Sequence, residues 1–273
     1  MVPGFIRCRI SSRNRPQKEG AGMEAEITGV EIEKKKRGLS GSVLKWVAVI
    51  SMFIDHCTAV LVEGSWSVGI RAVSYEQYLV LRGIGRLAFP IYCFLLVEGL
   101  QHTRNVKKYL ARLFVFAFLS DIPFDLAFRK SVFHFGYQNV FFTLFFGLLG
   151  LALWQYLTEK KDFGAAWWRQ LLGLVCLAAL AWIAELCHTD YGWQGVTVIA
   201  LMYLLRKLPW LRDLGSLGVL YFSSPLELAA APDLVLFRLY NGERGRQSKY
   251  FFYIFYPAHL LLLAGLRWLL WRI

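Results

Sequence analysis

The chain is poor in charged residues: Asp, Glu, Lys and Arg supply 18% of its 273 residues, whereas soluble domains carry about 25%. Its apolar stretches lack the period-two alternation of membrane-spanning strands. The five cysteines show no CxxC spacing, which argues against a zinc site or a disulfide framework. No apolar stretch lies near the start, so residues 1–42 are predicted to be a polar, basic, disordered cytoplasmic tail and not a signal peptide.

Hydrophobic residues are abundant instead, at 56%, and they are gathered into runs of about 18–22 residues. A helix of that length crosses the hydrocarbon core of a bilayer. The sequence therefore predicts an all-α fold, a polytopic transmembrane helical bundle of about 8–9 helical segments that fills residues 43–273. The expected spans are 43–62, 79–100, 109–128, 139–157, 166–187, 193–208 and 250–271, with an irregular stretch at 213–240.

The formal net charge of +12 does not indicate a nucleic-acid partner, because the cations lie between the apolar runs and in the tail. Placing the tail in the cytoplasm puts most of these cations on one side, as the positive-inside rule requires. Lys107, Lys108, Lys160 and Lys161 all fall on that side. We therefore expect a multi-pass protein of the cytoplasmic (inner) membrane with a cytoplasmic N-terminus and the lipid bilayer as its surroundings.

The stretch 213–240 contains Ser223-Ser224-Pro225 and Pro232, which interrupt a helix. A single kinked span would put the basic loop 241–249 outside the cell. Two half-helices forming a hairpin would put it in the cytoplasm, where its cations belong. The hairpin is the favoured interpretation.

One group of polar residues is predicted to lie within the outer half of the bilayer. A charge at the centre of a membrane helix costs at least about 2.5–3.5 kcal/mol, so such residues need partners or a hydrated cavity. With the predicted orientation of the helices, all residues of this group lie at a similar depth in the bilayer. The group comprises Asp55, His56, Arg82, Arg86, Asp121, Asp125, Asn139, Asp190 and Tyr191. The alternative is purely structural, with ion pairs such as Arg86 to Asp121 locking helices together.

His56 is the strongest candidate for chemistry in this group, because an imidazole can take and return a proton near neutral pH. Adjacent helical residues point about 100° apart, so Asp55 and His56 do not face each other. Asp55 is expected to pair with an arginine while His56 faces the cavity. His259, beside Pro257 in the last span, is a second candidate for proton transfer, with a packing role as the alternative.

A second polar group lies at the opposite, cytoplasmic end of the predicted helices. Clustered cations with polar partners suit an anionic ligand that carries phosphates. Anchoring of the helices to lipid head groups is the alternative. The group comprises Glu98, His102, Arg104, Lys107, Lys108, Arg112, Asn241, Arg244 and Arg246.

From about residue 40 onward the chain resembles the TraX family of membrane acetyltransferases, and more distantly the membrane-bound acyltransferases that use acyl-CoA. The stretches that carry the resemblance are Leu44-Lys45-Trp46, Asp55-His56, Gly85-Arg86-Leu87-Ala88-Phe89-Pro90-Ile91, Glu98-Gly99, His102-Thr103-Arg104-Asn105, Ser120-Asp121-Ile122-Pro123-Phe124-Asp125, Asn139 to Thr143, Asp190-Tyr191-Gly192, Tyr240-Asn241-Gly242-Glu243-Arg244-Gly245 and Tyr253 to His259. Asp121 stands where the family often has Glu, which keeps the charge.

The resemblance implies transfer of an acetyl group from cytoplasmic acetyl-CoA to an amine or hydroxyl acceptor, which is the pilin N-terminus for the family namesake. The candidate catalytic residues are then His56 as the general base, with Asp55 beside it, and His259 as the alternative base or as the residue that carries the acetyl group covalently. Acetyl-CoA is then expected at Glu98, His102, Arg104, Lys108, Arg112, Asn241 and Arg244, and no metal is expected. Two rivals remain, a proton-coupled secondary transporter and a non-catalytic pilus or conjugation assembly factor. The sequence sets neither the acceptor nor the oligomeric state.

Overall fold

The computed structural model describes residues 38–159, 166–246 and 250–272. Residues 1–37 of the predicted tail, as well as Lys160 and Lys161, lie outside the described residues. The described part is helical, with two isolated β-bridges and no strand within those ranges. Its nine helices are α1 (Gly41–Ser67), α2 (Tyr75–His102), α3 (Val106–Phe128), α4 (Val140–Glu159), α5 (Ala166–Leu186), α6 (Gly192–Leu204), α7 (Pro209–Ser223), α8 (Asp233–Leu239) and α9 (Phe251–Trp271).

Five of these helices are long and apolar enough to cross a membrane, namely α1, α2, α4, α5 and α9. The predicted all-α, multi-pass transmembrane bundle is therefore confirmed, and the number of helices agrees with the prediction. Helix α1 runs to Ser67 and α2 begins at Tyr75, so both extend beyond the predicted spans. The extensions are polar, and for this reason hydrophobicity alone missed them.

Local sequence signals set where α2 and α3 begin. Ser74 and Gln77 form a capping box, in which each side chain accepts a hydrogen bond from the backbone N–H of the other residue. The Asn105 side chain accepts the backbone N–H of Lys108 at 2.8 Å. Both caps satisfy amide groups that a helix start leaves without a partner.

Helix α1 contains a π-helical turn at Thr58–Val62, directly after Asp55 and His56. The Thr58 hydroxyl donates to the Ile54 carbonyl at 2.8 Å, a side-chain bond that accompanies the change in helix geometry. Such single π turns are frequent at functional sites. The two candidate residues therefore lie immediately before the π-helical turn of α1.

The stretch 213–240 forms the predicted hairpin. Helix α7 ends at Ser223, the 3-10 helix Pro225–Ala230 turns the chain, and α8 leads back. The backbone N–H of Leu39 donates to the Leu239 carbonyl at 2.7 Å, and that of Asn241 donates to the Leu39 carbonyl at 2.9 Å. The chain after α8 thus lies at the end of the bundle where α1 begins, which we call the proximal end. The opposite end is the distal end.

Buried charges hold the two arms of the hairpin together at the proximal end. The Asp213 carboxylate pairs with Arg212 at 2.6 Å and with Arg238 at 3.0 Å. The Arg238 guanidinium also stacks over the Trp210 ring, 4.3 Å from its centroid. This network fixes α8 against α7, and it brings the turn between them toward α2.

Candidate active site

A polar cavity of about 500 Å³ lies among α1, α2, α3, α9 and two interhelical loops. A pocket of this size suits a small ligand or the end of a larger one. Its polar lining consists of Asp55, His56, Arg82, Arg86, Arg129, Tyr137, Asp190 and Tyr191, and its aromatic lining includes Phe89, Tyr92, Phe124, Phe128 and Tyr256. The structure therefore brings six residues of the predicted outer group into one chamber.

His56 and His259 form a hydrogen-bonded pair that joins α1 to α9. His56 Nδ1 lies 2.7 Å from His259 Nε2, and the rings are 5.0 Å apart and nearly parallel. His259 Nδ1 lies 2.7 Å from the Phe255 carbonyl oxygen, which can only accept. His259 therefore donates from Nδ1 and accepts at Nε2, so His56 donates from Nδ1. This leaves the lone pair of His56 Nε2 available, and His56 lines the cavity.

Asp55 is held by two arginines, whereas the sequence predicts one. Its Oδ1 atom lies 2.8 Å from Arg82 Nη1 and 2.9 Å from Arg86 Nη2. Arg86 also reaches the 3-10 turn of the hairpin, where its Nη1 atom lies 3.0 Å from Glu227 Oε1. Arg86 thus links α1, α2 and the hairpin through one buried guanidinium.

Gly85 makes room for this network. A Cβ atom at residue 85 would overlap the Asp55 side chain, whereas Gly218 of α7 has open space around it. We expect Gly85→Ala to lower the free energy of unfolding by about 1–3 kcal/mol, the usual cost of overpacking. Gly218→Ala is the control and should be neutral or stabilising, because alanine favours helix. Equal melting temperatures for Gly85→Ala and the wild type would contradict this prediction.

Two loops close the cavity and are tied to each other. The backbone N–H of Gln138 donates to the His188 carbonyl at 2.9 Å, and that of Asp190 donates to the Gln138 carbonyl at 2.8 Å. The Tyr137 hydroxyl donates to Asp190 Oδ1 at 2.9 Å. Burial raises the pKa of the Asp190 carboxyl, and the Tyr137 hydrogen bond opposes that rise. The hydrogen bond from Tyr137 therefore favours the ionised form of the Asp190 carboxyl.

Asp121, Asp125 and Asn139 do not line the cavity. Asn139 donates to the Ala117 carbonyl at 2.8 Å and to Asp121 Oδ1 at 3.2 Å, which ties the start of α4 to α3. Asp125 accepts the backbone N–H of His134 at 2.5 Å. The expectation that these residues share the chamber is wrong, because none of the three belongs to the cavity lining and their side chains are engaged in contacts between α3, the start of α4 and the loop that joins them. Likewise, Arg86 pairs with Asp55 and Glu227, not with Asp121.

The second predicted group lies at the proximal end and is more loosely arranged. His102 Nε2 is 3.8 Å from Glu98 Oε2, and the His102 side chain is 71% exposed. Arg104 and Lys108 are exposed as well. The Arg112 guanidinium lies 5.5 Å from the Tyr109 ring centroid, while the segment with Asn241 and Arg244 runs beside the start of α1. These residues therefore form an open cationic rim and not a closed pocket.

Sequence comparison identifies the family of this membrane protein. A profile described as "TraX protein" matches residues 40–267. The chain belongs to the TraX family. One relative, named "Probable fimbrial assembly protein FimC, serogroup H1" from Dichelobacter nodosus, is 32% identical over 249 residues, covering 81% of this chain and 93% of the relative. No solved structure matches the chain.

The TraX match encloses the whole cavity, from Met52 on α1 to Tyr256 on α9, as well as His259. Three members of the site in this TraX protein were missed by sequence reasoning: Arg129, Tyr137 and Glu227. All three lie outside the long apolar helices, where no hydrophobic run draws attention to a buried charge. Only Glu227 had a signal, since it follows Ser223-Ser224-Pro225 at a helix break. Within the described ranges, no group of three His, Cys, Asp or Glu side chains is arranged to hold a metal ion.

Proposed function

We propose that this TraX-family chain is an integral membrane acetyltransferase that moves an acetyl group from acetyl-CoA to an amine or hydroxyl acceptor bound in the cavity. The observation that carries the proposal is the His56–His259 pair, whose hydrogen bonds leave His56 Nε2 as an acceptor at the cavity wall. A histidine oriented in this way by a second group is the usual form of a general base.

In the proposed step, His56 Nε2 takes the proton of the acceptor amine or hydroxyl as that atom attacks the thioester carbonyl carbon. The carbon–sulfur bond then breaks, and His56 returns the proton to the departing thiolate. The products are the acetylated acceptor and CoA. His259 touches neither substrate, so it acts as a positioning residue that holds the His56 ring and its tautomer.

The remaining polar residues have supporting roles in this proposal. Asp55 holds Arg82 and Arg86 at the cavity wall, where both guanidiniums would stabilise negative charge that develops on the thioester oxygen. The cationic rim at the proximal end would face the cytoplasm and hold the phosphates of CoA. The acceptor would enter from the distal side of an inner membrane.

The relative's printed name supports a link to pilus or fimbria assembly. A pilin N-terminus is therefore the first acceptor to test. The experiment uses the purified full chain in lipid vesicles with acetyl-labelled acetyl-CoA and two peptides, one with a free N-terminus and one with a blocked N-terminus and a serine. Label on the free amine or on the hydroxyl would support the proposal and identify the acceptor class.

The same vesicles distinguish the rival functions. Solute flux that does not require acetyl-CoA would favour a transporter. A non-catalytic assembly factor would leave every acceptor unlabelled while variants at Asp55 or His56 kept pilus assembly intact. Either result, together with no melting-temperature shift on adding CoA, would overturn the acetyltransferase proposal.

A further inference from the structure

A second, narrower cavity of about 100 Å³ adjoins the first one on its proximal side. Its lining comes from α1, α2, α3, α4 and α9. The residues that line both cavities are Met52, Tyr92, Val140 and Tyr256. These shared residues make the two cavities neighbours.

The walls of this second cavity are apolar along most of its length. Leu96 and Leu113 are 4% and 2% exposed, and Leu144 and Phe141 lie opposite them on α4. Among the described residues of the lining, Lys45 is the single charged one. Such a passage accepts a thin, largely uncharged chain whose charged end stays near Lys45.

Cations gather where the passage reaches the proximal end. The Lys45 ammonium lies 5.4 Å from the Phe252 ring centroid. Lys45 also lies close enough to Arg244 for an electrostatic interaction between the two cations. Arg112 contacts Tyr109 and interacts with the Tyr253 hydroxyl, and both tyrosines line the passage. Two helices, α1 and α3, and the segment after α8 thus place positive charge at this end of the second cavity.

We propose that this passage binds the acetyl-pantetheine arm of acetyl-CoA, with Lys45 at its phosphate end and the thioester at the junction beside Met52. The inference rests on the proposed function and adds the donor site, which includes residues that the exposed rim does not. Met52 lies one helical turn before His56, the base that must reach the reacting atoms, and Lys45 precedes His56 by eleven helical residues, which span about 16 Å. An extended arm has roughly thirteen bonds from phosphorus to sulfur and is also about 16 Å long, at the ~1.2 Å per bond of an extended chain.

In this arrangement the donor and the acceptor occupy separate cavities and meet only at the junction between them. The donor reaches the junction through the narrow passage, whereas the wide polar cavity remains for the acceptor. Because Met52, Tyr92 and Tyr256 belong to both linings, they are the side chains that contact the thioester. A lipid acyl chain is the competing occupant of an apolar passage, and competition by a free fatty acid distinguishes it from the acetyl-pantetheine arm.

The first test captures the arm covalently. Met52→Cys protein in nanodiscs is treated with CoA disulfide, so that the new thiol exchanges to form a mixed disulfide and releases one CoA thiol. Peptide mapping should find the adduct at residue 52 at a yield on the order of tenfold above that of Ile50→Cys, whose residue points outward and is 56% exposed. Excess acetyl-CoA should suppress the adduct, whereas a free fatty acid should not. Equal labelling at both residues, or suppression by the fatty acid alone, would overturn the proposal.

The second test blocks the passage. Leu96→Trp should weaken acetyl-CoA binding by about tenfold or more, and binding of adenosine 3′,5′-bisphosphate, which lacks the arm, should change little. Leu144→Trp repeats the test from the opposite wall in case one variant does not fold. If the adduct forms at residue 52 but no acceptor is acetylated, the donor passage stands and the proposed reaction fails. If both tryptophan variants acetylate at wild-type rates, the reaction stands and the passage fails.

Discussion

Replacement of His56 by alanine should lower the rate of acetyl transfer by about 10²–10⁴-fold, the range that general acid–base catalysis contributes. The variant removes the only imidazole that lines the described part of the cavity. Acetyl-CoA binding should persist, because the cationic rim and the apolar passage do not include this side chain. Single-turnover transfer with labelled acetyl-CoA, measured together with CoA binding, separates the two quantities.

Two further variants make the assignment specific. His134→Ala is the matched control, since His134 is exposed in a loop and does not line the cavity, and its rate should stay at the wild-type value. His259→Ala should lower the rate less than His56→Ala and should change the pH profile, because the His56 tautomer is then no longer fixed. Free imidazole should partly restore His56→Ala. Wild-type rates for His56→Ala would remove this residue from the mechanism.

Much of the fold could be predicted from the sequence, because a membrane imposes strong length and composition rules. Runs of about 20 apolar residues predicted the long helices. Ser223-Ser224-Pro225 and the cations after residue 240 together predicted the hairpin, which the backbone bonds at Leu39 confirm. The Asp55 partnership with arginines followed from the angle between neighbouring residues on a helix.

The candidate site was harder to predict, since hydropathy gives the depth of a residue but not the direction of its side chain. Asp121 and Asp125 were expected in the cavity, yet neither lines it, and Asp125 instead accepts the backbone N–H of His134. His56 and His259 are 203 residues apart, and only tertiary packing reveals that they touch. Glu227 enters the site from a short 3-10 turn, an element that no periodic pattern predicts.

Arg86 should be the most important single residue for stability. Its guanidinium is the partner of Glu227, a carboxylate that is 3% exposed, and it shares Asp55 with Arg82. Arg86→Met would leave Glu227 buried without a cation, and removal of one partner of a buried pair costs about 3–5 kcal/mol. Unfolding of the protein in bicelles, followed against denaturant, measures the loss.

A second substitution shows whether the loss of stability arises from the buried Glu227 carboxylate that has lost its cation. Glu227→Gln in the Arg86→Met background removes the unpaired charge, so the double variant should be more stable than Arg86→Met alone. Arg71→Met is the matched control, because Arg71 is exposed in the loop between α1 and α2 and should contribute less than about 0.5 kcal/mol. If Glu227→Gln brought no recovery, the cost of Arg86→Met would arise from lost packing, and Arg86 would not be the electrostatic link between α1, α2 and the hairpin.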